Sequence, residues 1–298
     1  MNPTTAPDMQ VPEKNKILPR TLYLVATPIG NLADLSERAI KVLSEVDFIA
    51  AEDTRNTAKL LSILGFSKPL ISYFEHNKKE RGEQILARIE SGESCALVTD
   101  AGTPAISDPG EDLVRLCAER KITVTSIPGC CAAITALTLS GLATGKFVFE
   151  GFLGTNNSER KKRLDLLARE ERTTILYEAP HRLCTTLEEL LKALGNRRIT
   201  LCRELTKLNE EVMRTDLEGA VAYYKEHAPR GEYVLVLDGT KDADSGTYWD
   251  QLSVMEHIEH HMEAGLERMD AIKATAKERG VSKSVIYAEF VKNSKKDE

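Results

Sequence analysis

No stretch of the sequence approaches the ~18–20 consecutive apolar residues of a membrane-spanning helix. The first twenty residues, MNPTTAPDMQVPEKNKILPR, lack the apolar core of a secretory signal and read as a flexible lead-in over residues 1–19. A positive balance is missing too. Lys and Arg total 40 against 46 Asp and Glu, a net charge of −6 and a pI near 5.7. That excludes a basic tail or a uniformly positive nucleic-acid clamp, so any nucleic-acid contact needs a local patch. The six cysteines form no CxxC pair and no zinc-type spacing. Cys95 and Cys202 lie in apolar runs, where buried free thiols are expected. His257, His260 and His261 fall on one predicted helix without a carboxylate or thiol partner fixed by spacing, and no metal site is expected. The expectation is a soluble, cytoplasmic protein with no membrane partner.

Several nucleotide and hydrolase signatures are also absent. No GxGxxG follows the first predicted strand, no GxxxxGK[ST] occurs, and no GxSxG elbow is present. What remains is an ordinary globular balance, 42% apolar and 29% charged. At 298 residues the chain suits two domains and a small third. Short apolar runs alternate with amphipathic stretches, which is the pattern of an α/β fold. Strands are predicted at 21–27, 47–51, 70–73, 95–99 and 122–127, with helices near 36–45, 58–64 and 79–90. The segment 142–146 reads as a hinge, after which the alternation restarts. Strands at 147–152, 173–179, 198–204 and 231–239 accompany a basic helix from Ser158 and helices at 180–194 and 217–227. After a polar linker at 240–246 the rest reads helical, at 248–263, 269–279 and 283–291. The predicted units are 20–143 and 147–239, both α/β, and a helical 247–298.

Three loops of Gly, Pro, Thr, Asp and Ser leave the carboxyl ends of apolar strands: TPIGN (27–31), DAGTPAISDPG (100–110) and PGCCAA (128–133). Ligands of open α/β sheets bind where such loops converge, so the three together mark a crevice. Asp108 reads as a helix N-cap before Pro109. The residues alone support a two-domain enzyme with an atypical small-molecule site.

LVATPIGNLADLSERAIKVL, AAEDTRNTAKLL, ALVTDAGTPAISDPG, IPGCCAAITAL, EHN (75–77), YEAPHR (177–182), REL-TK (203–207) and GEYVLVL (231–237) carry a resemblance that runs from about Leu22 to the C-terminus. The chain resembles the S-adenosylmethionine-dependent tetrapyrrole methylase superfamily (class III methyltransferases). Within it the likeness is to the branch that methylates the ribose 2′-oxygen of a cytidine in the decoding region of 16S rRNA. The resemblance implies two α/β domains with a cofactor crevice between them, S-adenosyl-L-methionine as cofactor, the small ribosomal subunit as partner, and a homodimer. On matching positions it implies that Thr27, Pro28, Gly30, Asp100, Gly102, Thr103, Pro104, Ser126, Pro128, Gly129 and Ala132 line the cofactor pocket. Asp100 would then offset the cationic end of the methionine moiety. A ribose hydroxyl is a poor nucleophile, and Asp53, Glu75, His76 and Glu178 are candidates to take its proton, foremost Asp53, His76 and Glu178. Arg55, Asn77, His181 and Arg182 would face the RNA.

Local positive clusters occur at Lys78-Lys79, Arg160–Arg163 and Arg197-Arg198, and solvated helix faces produce the same pattern. Residues 268–296 hold eight Lys or Arg against three Asp or Glu. MDAIKATAKERGVSKSVIYAEF reads as a helix-turn-helix, broken at Gly280 and capped by Ser282, either a nucleic-acid module or a packed cap. Two other readings compete. A small-molecule methyltransferase of the corrinoid or porphyrin type leaves EDTR, EHN and YEAPHR without a purpose. A non-enzymatic nucleic-acid regulator does the same to the three loops.

Overall fold

In the computed structural model, which describes residues 15–240 and 252–294, the chain forms two compact units that divide at Gly239 and Thr240. The first begins with a five-stranded sheet of β1 (Thr21–Val25), β2 (Phe48–Ala51), β3 (Leu70–Ser72), β4 (Cys95–Val98) and β5 (Thr123–Ile127). Its order is β3-β2-β4-β1-β5, and every pairing is parallel. Parallel strands covered on both faces read as unbroken apolar runs, which is why CALV and FIAA are so uniform. Alternate residues serve opposite layers. Tyr23, Val25, Ile49 and Val98 pack under α1 (Glu37–Glu45) and α2 (Thr54–Ile63). Leu22, Phe48, Cys95 and Leu97 pack under α3 (Lys78–Glu90) and α4 (Gly110–Glu119). Helix α1 starts where the Ser36 hydroxyl accepts the Ala39 N–H, and it buries Ala39, Val42 and Leu43 at helical spacing. Helix α2 begins at Thr54, four residues before the Ala58 expected from apolar periodicity, because the Asp53 carboxylate caps it by accepting the Arg55 N–H.

The second sheet combines β6 (Phe147–Gly151), β7 (Thr173–Glu178), β8 (Arg198–Arg203), β9 (Glu211–Asp216) and β10 (Tyr233–Leu237) in the order β6-β7-β10-β8-β9. Only β6 and β7 are parallel. Strand β9, EVMRTD, is the one strand that periodicity does not predict. As an outer strand it has only Val212 and Met213 to pack on the cores, and its charged Glu211, Arg214 and Asp216 protect the edge. One face of this sheet is covered by α6 (Asn157–Leu167), α7 (Pro180–Leu194) and α8 (Leu217–Glu226). The other face is covered by α5 (Ala132–Ser140), which follows β5 in the chain but buries Ala133, Ala136 and Leu137 against Ile175, Cys202, Val234 and Val236. Its terminal carbonyls are also satisfied from the second sheet. Arg214 Nη2 donates to Leu139 O at 2.6 Å, and Thr200 Oγ1 donates to Ser140 O at 3.0 Å.

The second unit holds α9 (Val254–Glu263), α10 (Arg268–Glu278) and α11 (Lys283–Ser294) around Ile258, Ala271, Ile272, Ala276 and Ile286. The predicted start of α9 at Tyr248 lies outside the described residues; the helix opens at a capping box of Ser253 and Glu256. Gly280, at φ +64°, ends α10 as expected. His257 is fully buried, and His261 lies one turn on. Both direct Nε2 at Glu278 Oε2, at 2.8 and 3.0 Å, while Arg279 Nε donates to His257 Nδ1 at 3.1 Å. The carboxylate partner that spacing does not reveal thus comes from the next helix. A guanidinium on the far side of the His257 ring opposes a metal cation there.

Candidate active-site cleft

The three loops at the carboxyl end of the first sheet are tied to one another. Thr27 and Gly102 exchange backbone hydrogen bonds at 2.9 and 3.0 Å, and Thr27 Oγ1 donates to Thr99 O. Thr103 Oγ1 donates to Cys130 O at 2.8 Å. Asp108 accepts N–H bonds from Ala105, Ile106 and Gly110, which folds the long loop back on itself; the N-cap of α4 is Pro109 rather than the expected Asp108, whose carboxylate reaches only the first N–H of the helix. That loop holds Ala105 and Ser107 at φ +66° and +62°, a conformation costly for residues with a Cβ. Opposite it, the turn after β8 carries two more such residues, Glu204 and Thr206. Lys207 Nζ ties this turn down through Glu204 at 2.9 Å and Glu232 at 3.0 Å.

Between the two sets of loops lies a cleft of about 510 Å³, within the size range of small-molecule sites. The first-sheet side supplies Ile29, Asp100, Gly102, Thr103 and Ala132; the second supplies Phe152, Tyr177, Glu178, Leu205 and Val234. The wall is acidic. Glu52 accepts from Thr99 Oγ1 at 2.6 Å, and Asp100 stands beside it. Burial, then the charges of Glu52 and Asp53, raise the Asp100 carboxyl above its ordinary range. A carboxylate that resists ionisation in this way gains from a bound cation.

A model of "Tetrapyrrole (Corrin/Porphyrin) Methylases" matches residues 21–221. The chain is 48% identical to ribosomal RNA small subunit methyltransferase I of Synechocystis over 89% of its own length and 95% of the relative's. With the enzyme of that name from Bacillus subtilis it shares 44% over 89% and 92%. The chain belongs to the tetrapyrrole methylase family, in its ribosomal RNA small subunit methyltransferase I branch. The fold agrees. A cobalt precorrin-4 methyltransferase superposes at a TM-score of 0.55, with 14% identity over 74% of this chain and 95% of the other. A Thermus thermophilus uroporphyrin-III C-methyltransferase complexed with S-adenosylhomocysteine gives 0.52, with 19% identity over 72% and 96%.

In this tetrapyrrole methylase the expected pocket residues divide into two groups. Asp100, Gly102, Thr103 and Ala132 line the cleft. Thr27 and Gly129 brace its loops from behind, and Gly30 abuts the turn after β8 on the other side. A Cβ at Gly129 would come within 2.8 Å of Ala26 Cβ, and one at Gly30 within 2.3 Å of Lys207 Cγ. Pro28, Pro104, Ser126 and Pro128 are also outside the lining, although they belong to the same loops. Of the proposed proton acceptors, only Glu178 lines the cleft. It is buried, with Oε1 accepting from Ala179 N–H at 2.9 Å and Oε2 from Thr186 Oγ1 at 2.5 Å. Asp53 is gripped by the Arg55 fork, whose hydrogen bonds hold its carboxyl down at about 2. His76 is exposed, edge-on to Phe74, and Glu75 is paired with Lys78 at 2.8 Å.

The residues expected at the RNA are partly spent on the fold. Asn77 shapes its own turn, accepting from Phe74 N–H and donating to Ser72. Arg182 donates to Gly154 O, and His181 is exposed. In the Arg160–Arg163 cluster, Arg160 is buried against Glu189 and Thr186, and Arg163 pairs with Glu150; Lys161 and Lys162 are exposed. Sequence reasoning missed Ile29, Glu52, Phe152, Tyr177, Leu205 and Lys207 as lining. Ile29 lies in the TPIGN loop, and Glu52, Tyr177, Leu205 and Lys207 lie in motifs that carry the resemblance, so only Phe152 had no signal beyond its position just past the carboxyl end of β6.

Proposed function

We propose that this tetrapyrrole methylase is an S-adenosyl-L-methionine-dependent enzyme that methylates the ribose 2′-oxygen of a cytidine in the decoding region of 16S rRNA, within the small ribosomal subunit. The observation that carries this reading is the 40–48% identity to relatives named ribosomal RNA small subunit methyltransferase I, over nearly their whole length. On this reading the protein works as a homodimer in the cytoplasm, where its ribosomal substrate is.

The residues of the cleft suit the cofactor. Its sulfonium supplies an electrophilic methyl group and its amine a second positive charge. Asp100, reluctant to ionise alone, gains from a cation beside it, and backbone amides of the glycine loops suit a carboxylate. Thr27, Gly30, Pro104, Pro128 and Gly129 hold those amides in place. Methyl transfer builds no new charge on the leaving group, so alignment supplies much of the rate. Glu178 is the acceptor we assign to the 2′-hydroxyl proton, since it alone of the candidates lines the cleft and each of its oxygens accepts a single hydrogen bond, with Arg182 Nε 3.9 Å from Oε1. Asp53 and Arg55 act as one ion pair beyond β2, and His76, His181 and the exposed Lys161 and Lys162 contact phosphates.

The test is transfer of labelled methyl from S-adenosylmethionine to small subunits from cells lacking this protein, with free rRNA and a tetrapyrrole as parallel acceptors. Label in one alkali-resistant cytidine linkage is the expected result. Cofactor binding with label on the tetrapyrrole alone refutes the ribosomal assignment.

A further inference from the structure

Phe152 lines the cleft and yet leaves 49% of its surface exposed. It is not a loose side chain. Its ring meets Tyr177 edge-on at 5.6 Å, and Tyr177 meets Phe149 in the same way at 5.1 Å, so three aromatics brace one another. The chain reaches Phe152 through a break in the β6–β7 register at Gly151, whose φ of +66° suits glycine. A Cβ on Gly151 would stand 3.0 Å from Ser107 Oγ, so the break is seated against the strained loop of the first sheet. Three guanidiniums then fix the loop by its carbonyls. Arg163 donates to Phe152 O at 2.7 Å, Arg160 to Gly154 O at 3.2 Å, and Arg182 to Gly154 O as well. All this holds an apolar ring, half in water, at the edge of a ligand cleft.

A fixed, half-exposed aromatic face suits a flat π-system, and single-stranded RNA offers one in each splayed base. We propose that Phe152 is a stacking platform for a base of the RNA substrate, at or next to the nucleotide whose ribose enters the cleft. This rests on the ribosomal reading above. Two sources offer a base here, the substrate and the adenine of the cofactor. The substrate is favoured because the cofactor loops leave the first sheet, whereas Phe152 comes from the second. It also stands just ahead of α6, whose exposed Lys161 and Lys162 suit a phosphate chain.

Phe152→Leu keeps an apolar side chain and removes the π-face; Phe152→Trp keeps the face. The readouts are kcat/KM for small subunits, S-adenosylmethionine affinity by calorimetry, and the melting temperature. Stacking predicts that Phe152→Leu lowers kcat/KM roughly 5- to 150-fold, mostly through KM. Phe152→Trp should stay near the wild-type value, with cofactor affinity and melting unchanged in both. An equal loss of cofactor affinity assigns the ring to the adenine and overturns the proposal. So does full activity in Phe152→Leu, or a lowered melting temperature that accounts for its loss. A wild-type protein that binds cofactor but labels no subunit refutes the ribosomal reading itself, and this inference falls with it.

Discussion

Gly30→Ala is the sharpest test of how the two halves of the cleft are joined. The substitution needs no change of backbone conformation, since Gly30 is not among the positive-φ glycines. Its effect is therefore steric. The new Cβ would stand 2.3 Å from Lys207 Cγ, 2.9 Å from Thr206 Oγ1 and 3.1 Å from the Leu205 carbonyl oxygen. Lys207 cannot swing aside cheaply, because its Nζ is held by Glu204 and Glu232. Leu205 is backbone at the contact and buried at its side chain, where it also lines the cleft. The turn after β8 must retreat, and overpacking of this kind costs about 1–3 kcal/mol. For a unit of this size that is roughly 2–6 °C in melting temperature. Thermal unfolding and cofactor calorimetry should show both a lower melting point and weaker binding. Lys207→Ala removes the nearest atom, so a double-mutant cycle should return a coupling of about 0.5–2 kcal/mol in favour of the pair. Wild-type stability and affinity in Gly30→Ala would refute the idea that this contact clasps the cleft.

Two further outcomes follow from the charged groups. Arg160→Met removes a buried cation that bridges Glu189, Thr186 and the Phe152 loop. Glu189 is 37% exposed and partly rehydrates, so denaturant titration should show a loss of about 2–3 kcal/mol rather than the full cost of a buried pair. In the helical unit, burial, then the charges of Arg279 and His261, depress His257 below its ordinary 6.5 against the pull of Glu278. The unfolded chain therefore takes up this proton first, and stability should decline as pH falls below about 6.5 until the folded group also titrates. Amide exchange of α9 and α10 between pH 7.5 and 5 checks this, and His257→Gln should flatten the trend.

The strand and helix order was legible because strands covered on both faces are written as continuous apolar runs, as in CALV and FIAA of the parallel sheet and YVLVL at the centre of the second. The loops were legible for a related reason, since Gly, Pro and Asp must cluster where strands end over a ligand. What the sequence hid depends on partners remote in the chain. Strand β9 has only two apolar residues, Val212 and Met213, because it is an edge. Helix α5 follows the first sheet but finds its apolar surface on the second. Glu278 meets His257 across a helix hairpin, 21 residues away. Arg160 and Arg182 look like RNA contacts in a linear reading, whereas the geometry spends them on carbonyls of the Phe152 loop. His76 and Glu178 are both titratable residues near strand ends, yet only Glu178 is among the residues that line the cleft.

The placement of α5 has a consequence for how the protein is made. Helix α5 is synthesised directly after β5, but the surface that covers Ala133, Ala136 and Leu137 includes β10, which ends at Leu237. A nascent chain that has completed the first sheet therefore carries a helix with an uncovered apolar face and uncapped carbonyls at Leu139 and Ser140. That interval lasts for nearly a hundred residues of elongation, long enough at cellular rates of about 5–20 residues per second for chaperones to engage it. A fragment cut near Leu142 would inherit the same exposed helix, and so would aggregate rather than behave as an isolated cofactor-binding domain.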